Sequence, residues 1–416
     1  DGQLPPDDND NDDNDDNDNF GDNGNQASVE ISGTKRAIQV QKKGSNAVIK
    51  LGSMSGEVVV NVPPVPGASS YTLEMPAETL TSGKSSLTLK TALGSVSFSS
   101  GMLSTMKEAE GKTVGLTITA VDKSTLPEAI RAAIGNRPVI KLTLTLNGVE
   151  TAWSNPEAPV WVSIPYKPTD AELESPESIV IWYIDAKGNI INVPNGFYNQ
   201  SDGMVSFNIT HFSDFAIAYN KVSFKDIQKG IWYERAVNFI AAREITTGTG
   251  NGYFSPNSKL TRGQLITMLM RACGTDPDTN PKENFSDAGN TWYTGYLAAA
   301  KRLGISEGVG NNMFAPEKEI TRQEMFTLMY NALKEIGQLP ETKKADGGSP
   351  NRTLSAFADH GQIAAWAREA ITLLVETGTV SGSGGKLAPH STATRAEMAQ
   401  VLYSLISAGE RRLDSY

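Results

Sequence analysis

Three stretches in the second half of the chain carry the same four marks in the same order. Phe-x-Asp comes first, at Phe224/Asp226, Phe285/Asp287 and Phe357/Asp359. A tryptophan follows, at Trp232, Trp292 and Trp366, and in each copy a glycine stands 16 residues later, at Gly248, Gly308 and Gly382. The series closes on Thr261-Arg-Gly-Gln264, Thr321-Arg-Gln-Glu324 and Thr394-Arg-Ala-Glu397. From Phe to Thr the separations are 37, 36 and 37 residues. A chain that holds this register three times is built from stacked copies of one small unit.

Each mark has a local physical reading. After the tryptophan, Ala236, Val237 and Ile240 match Tyr296, Leu297 and Ala300, and Ala370, Ile371 and Leu374. That spacing lays one apolar stripe along a helix. The glycine ends the turn after that helix, where a left-handed residue is useful. Thr-x-x-Glu/Gln predicts a capping box, in which the Thr oxygen takes the N3 amide and the Glu or Gln reaches back to the Thr amide. The helix that follows repeats the stripe, as in Leu265, Met268, Leu269 and Ala272. One copy cannot bury both stripes, whereas three packed together can.

The arginines need a separate explanation. Arg262, Arg322 and Arg395 fall at the first helical position. A cation there is not needed for capping and is mildly disfavoured by the helix dipole. It either completes an anion site, where free amides already attract negative charge, or pairs with an acid of the neighbouring copy. Recurrence in three copies, each with a Trp and a Gly loop, favours the anion site. The tryptophans read either as exposed faces on which sugars stack or as core aromatics.

These motifs, over about residues 221–408, resemble the S-layer homology (SLH) domain family. The resemblance implies an all-α, pseudo-threefold spindle of three repeats, here 221–275, 282–338 and 354–408. It implies noncovalent binding of a peptidoglycan-linked secondary cell-wall polysaccharide, bearing a pyruvate ketal on N-acetylmannosamine, in grooves between copies. Ligand-binding positions then fall on Arg262, Arg322 and Arg395, Asp226, Asp287 and Asp359, and Trp232, Trp292 and Trp366. Gly248, Gly308, Gly382 and Lys259 join them. The implied location is extracellular, at the cell wall or S-layer of a Gram-positive-type bacterium. This sequence departs from the family pattern at Gln264, where Glu is usual, and keeps the basic residue three before the Arg only as Lys259, against Glu319 and Thr392. The grooves should therefore be unequal, with that of Arg262 foremost and that of Arg322 last.

Ahead of the repeats the period changes to two. Val58–Val62, Leu87–Thr91, Leu116–Ala120, Ile140–Leu144, Val160–Ile164 and Ile179–Tyr183 alternate as half-buried strands. Asp185–Gly188 and Gln200–Gly203 read as hairpin turns, and Leu126–Ile134 as a short helix. Residues 28–220 thus predict a β-rich, sandwich-like spacer or adaptor domain in a multidomain chain. Two alternatives attach to it. His211-Phe212-Ser213 resembles the scissile tripeptide of autoproteolytic sandwich domains. Trp153, Trp161 and Trp182 would make a separate sugar-binding module if they formed a flat platform.

Composition closes other routes. Ten of the 47 acidic residues lie between Asp1 and Asp22, and the remaining 37 balance 37 basic residues. The acidity therefore belongs to a tract at residues 1–27, too polar to bury a core and expected to be a disordered linker. Nothing calls for nucleic acid. The three histidines lack zinc spacing, and no hydrolytic triad, P-loop or glycosidase carboxylate pair stands out. The expectation is a non-enzymatic chain without cofactor, metal or membrane span. The opening on Asp1 inside a low-complexity tract reads as a piece of a longer secreted precursor.

Overall fold

A computed structural model of the chain describes residues 26–31, 33–81, 85–340 and 352–407. The expected disordered tract falls, up to residue 25, outside the described residues, as does residue 408. The tract's last two residues already belong to a strand, in which Ala27 is buried in the core and pairs with Ile38.

The first part is β-rich. Its strands begin with β1 (Gln26–Ile31), β2 (Thr34–Lys43), β3 (Asn46–Lys50), β4 (Gly56–Asn61), β5 (Ser70–Pro76), β6 (Ser85–Thr91), β7 (Gly94–Phe98) and β8 (Thr113–Ala120). After α1 (Glu128–Ile134) come β9 (Val139–Leu146), β10 (Val149–Thr151) and β11 (Val160–Pro165). The short α2 (Asp170–Leu173) precedes β12 (Ile179–Ile184), β13 (Ile190–Val193), β14 (Phe197–Asn199), β15 (Met204–Ile209) and β16 (Asp214–Tyr219). The two expected hairpin turns join β12 to β13 and β14 to β15.

Strand β2 bridges two halves of the sheet. Thr34–Gln39 pair with β1, and Val40–Lys43 pair with β3. One half continues β1-β4-β6-β7-β11-β15-β14, the other β3-β5-β8-β9-β16-β12-β13. Alternation gives each half one apolar face, and both feed one core. Val60, Leu89, Val162 and Phe207 from the first half join Leu73, Leu116, Leu144, Ile181 and Phe215 from the second.

The second part is helical, with α3 (Glu234–Ala242) and α4 (Arg262–Ala272) in the first copy, α5 (Thr294–Arg302) and α6 (Arg322–Glu335) in the second, and α7 (Arg368–Glu376) and α8 (Arg395–Ser407) in the third. Packing runs between copies: α4 lies on α5, α6 on α7, and α8 returns to α3. The backbone follows the same cycle. Ile320 N donates to Leu260 O at 2.9 Å, Ala393 N to Ile320 O at 2.9 Å, and Leu260 N to Ala393 O at 2.8 Å. One hydrophobic core spans all three copies. Among the described residues no helix is long and apolar enough to cross a membrane.

The two parts are fastened by Arg243, which is 3% exposed. Its guanidinium donates to the carbonyl oxygens of Gly196, Glu177, Phe239 and Ile179 at 2.8–3.1 Å. Burial pulls its pKa down to about 9. Ala242 at the end of α3 packs on Val180 and Ala218 of the sheet.

Candidate functional site

The expected capping boxes form at all three second-helix starts. Thr261 and Gln264 close one on α4, and Thr321 and Glu324 another on α6. In the third copy Thr394 N donates to Glu397 Oε2 at 2.7 Å, and Glu397 N donates to Thr394 Oγ1 at 3.2 Å. Gly248, Gly308 and Gly382 have φ of 81°, 84° and 64°. A Cβ at Gly308 would sit 2.2 Å from Met313 O and 2.8 Å from the Phe285 ring. So the glycine and the Phe of Phe-x-Asp are one packing unit, which the spacing alone did not reveal.

The aspartates hold a turn. Phe254 N and Ser255 N donate to the two oxygens of Asp226 at 2.9 and 2.7 Å. Phe314 N and Ala315 N do the same to Asp287 at 2.8 and 2.7 Å, and Leu387 N and Ala388 N to Asp359 at 2.9 and 2.7 Å. Ser255, Ala315 and Ala388 thereby take left-handed conformations, with φ of 59°, 57° and 50°. Two charge-assisted bonds offset that strain.

The carbonyl of each turn receives the arginine of another copy. Arg262 Nε donates to Phe314 O at 2.8 Å, Arg322 Nε to Leu387 O at 2.7 Å, and Arg395 Nε to Phe254 O at 2.8 Å. Each arginine therefore sits at a junction between two copies. They do not face outward: Arg262 and Arg395 are 4% and 3% exposed. The cause is that carbonyl bond together with stacking, with both guanidiniums 4.7 Å from the centroids of Phe314 and Phe254.

Two of the three arginines also find an acid on the next copy. Arg262 Nη1 lies 3.4 Å from Glu324 Oε1, and Arg322 Nη1 lies 2.5 Å from Glu397 Oε1. Each Glu thus caps its own helix with one oxygen and holds the neighbour's Arg with the other. The corresponding residue for Arg395 is Gln264. Its one side-chain oxygen accepts from Thr261 N at 3.3 Å, and its remaining polar atom is a donor. Arg395 Nη2 is buried without a hydrogen-bond partner. Burial lowers the Arg395 pKa to about 10, opposed by Asp226. Burial lowers Arg262 too, opposed by Glu324 and Asp287.

Lys259 also moves. Three residues before Arg262 in sequence, it is paired in a β-bridge with Thr394 and so stands at the junction that holds Arg395. The equivalent bridges set Glu319 beside Thr261 and Thr392 beside Thr321. Spacing within one copy could not show which copy each residue faces.

Trp232, Trp292 and Trp366 are 59%, 58% and 56% exposed, which decides against the core reading. Trp232 and Trp292 are braced edge-on by Tyr233 and Tyr293, with centroids 5.0 Å apart. By contrast, Trp153 is buried and its Nε1 donates to Met102 O at 3.0 Å, and Trp182 Nε1 donates to Asn192 Oδ1 at 2.9 Å. With Trp153 in the core, Trp153, Trp161 and Trp182 do not form a shared platform. At the His-Phe-Ser step, Ser213 Oγ donates to Ile184 O at 2.9 Å and His211 packs edge-on against Tyr183. The backbone of that step has no positive φ.

The S-layer homology domain model matches residues 223–266, 284–326 and 356–399. Among curated relatives, the S-layer protein sap of Bacillus anthracis is 30% identical over 183 residues, 43% of this chain and 21% of that protein. An amylopullulanase of Thermoanaerobacterium thermosulfurigenes is 28% identical over 306 residues, 72% of this chain and 16% of the enzyme. Exoglucanase XynX of Acetivibrio thermocellus is 27% identical over 239 residues, 57% of this chain and 20% of the enzyme. The chain thus spans about a fifth of the length of these relatives. The helical half of the chain is three tandem S-layer homology domains, preceded by a β-rich domain.

Proposed function

We propose that this chain holds a surface protein to the cell wall of a Gram-positive-type bacterium, noncovalently. Its SLH repeats bind a peptidoglycan-linked secondary cell-wall polysaccharide of the pyruvylated N-acetylmannosamine type. The observation that carries this reading is the recurrence, in every groove between copies, of an Arg at a capped helix start facing an Asp-held turn. The guanidinium there suits a ligand carboxylate; the helix-start amides are already taken, since Arg262 N, Arg322 N and Arg395 N donate to Lys318 O, Ser391 O and Ser258 O of the neighbouring copy. The exposed tryptophans offer flat faces for sugar rings beside the charge.

A pseudo-threefold spindle accounts for the cyclic contacts of the three copies. The repeats occupy about 221–275, 282–338 and 354–408. Asp226, Asp287 and Asp359, with Gly248, Gly308 and Gly382, shape the groove walls. The β-rich domain acts as a spacer or adaptor rather than as an enzyme. The 306-residue likeness to the amylopullulanase is longer than the helical half, so it runs into the β-rich region. Polysaccharide-degrading enzymes are one class of protein such a chain would present, as the amylopullulanase and exoglucanase relatives suggest.

Calorimetry on the full chain tests the binding chemistry. Pyruvylated N-acetylmannosamine should bind, and the same sugar without the ketal should bind at least about tenfold more weakly, the loss of one charge-assisted contact. Equal affinity for both would remove the carboxylate from the mechanism.

A further inference from the structure

We propose that the acidic ligand is taken by one groove alone, that between the third copy and the first, and that Gln264 is the residue that keeps it open. This rests on the anchoring reading above and decides where in the molecule it operates.

In two grooves the chain supplies its own carboxylate to the arginine, through Glu324 and Glu397. A ligand carboxylate would have to displace it. In the third groove that position is Gln264, and among the described residues no carboxylate pairs with Arg395, whose guanidinium is buried and leaves Nη2 without a partner. One negative charge is missing from an otherwise repeated arrangement, and a ligand carboxylate supplies it.

The loops agree. Each groove has one Arg and one turn Asp, which cancel. What differs is the loop before the helix and the capping residue. For Arg262 these are Glu317-Lys318-Glu319 and Glu324, giving −1 − 1 = −2. For Arg322 they are His390-Ser391-Thr392 and Glu397, giving 0 − 1 = −1 with His neutral. For Arg395 they are Asn257-Ser258-Lys259 and Gln264, giving +1 + 0 = +1. Only the third is positive, and field focusing in a cleft amplifies such a difference.

Side chains also occupy the other two grooves. Gln323 bridges to His390 at 3.2 Å and to Ala364 N at 3.1 Å, while His390 Nε2 lies 2.9 Å from Gln362 O. Tyr293 Oη donates to Glu317 at 2.7 Å across from Gly263. In the Arg395 groove the position of Gln323 and Gly263 is Ala396, and the facing copy carries Lys259 and the exposed Trp232.

The test is calorimetry of pyruvylated N-acetylmannosamine on the full chain, as wild type, Gln264→Glu and Lys259→Ala. Wild type should bind one equivalent. Gln264→Glu restores the repeated ion pair, so it should fold at least as stably and lose affinity about tenfold or more. Lys259→Ala changes an exposed residue and should weaken binding several-fold without loss of fold. A wild-type stoichiometry of two or three, or unchanged affinity in both variants, overturns the one-groove assignment while leaving anchoring intact. No binding by wild type overturns both.

Discussion

Arg395 and Phe254 close the helical region on itself: the Arg395 Nε donates to the Phe254 carbonyl oxygen at 2.8 Å, across 141 residues of sequence. The same junction holds α8 on α3 and pairs Leu260 N with Ala393 O. The first copy is thus completed by the last.

A chain ending at residue 350 should therefore lose more than the third copy. It exposes the α3 face and leaves the Leu260 amide and Phe254 carbonyl without their partners. Thermal unfolding followed by helical circular dichroism should show the first two copies melting early or without cooperativity. Survival of a two-copy transition at the full-length temperature would refute mutual completion.

Glycine position should decide the cost of an added methyl. Gly308→Ala puts a Cβ 2.2 Å from Met313 O and against Phe285, at φ +84°. Gly310→Ala meets nothing within 4 Å, although its φ is +101°. Backbone strain alone costs on the order of 1 kcal/mol, so Gly310→Ala should lower stability by about that amount. Gly308→Ala should cost about 3 kcal/mol or more, because overpacking adds to strain. Urea unfolding of the two variants gives the comparison.

How much of this was legible in the sequence differs between levels. Helix starts, turns and strand alternation are local, so Thr321 and Glu324 announce their capping box and Asp185–Gly188 its hairpin. The cross-copy pairs are not local. Nothing in the spacing of Thr-Arg-x-Glu states that Glu324 serves Arg262, 62 residues earlier. The signal was nevertheless present: Gln264 broke the pattern at the one position where a Glu has two tasks. Arg243 carried a signal that the repeat analysis missed, since the matching positions in the other copies are Leu303 and Thr377. It binds the carbonyls of Gly196, Glu177 and Ile179 in the β-rich domain. The β-rich domain's order of strands was not legible, because β2 changes partners midway and period-two alternation is blind to partners.

Stability should fall in acid. Burial alone would raise the Asp359 carboxyl, but the amides of Leu387 and Ala388 more than reverse this, and it sits below its ordinary 3.8. For Glu324, burial is likewise outweighed by bonds from Thr321 and by Arg262, and it lies below its ordinary 4.5. Depressed acids stabilise the fold above their unfolded pKa and lose that contribution as pH falls through the folded value. The melting temperature should hold from neutral pH to about pH 5 and then decline steadily below about pH 4. A melting temperature flat to pH 3 would contradict the Asp-held turns and the cross-copy ion pairs.

The most direct measurement of the anchoring claim is co-sedimentation of the full chain with purified cell walls, before and after mild acid removal of pyruvate ketals. The account predicts that the chain pellets with intact walls and stays in solution with stripped ones. Equal retention on both would contradict it.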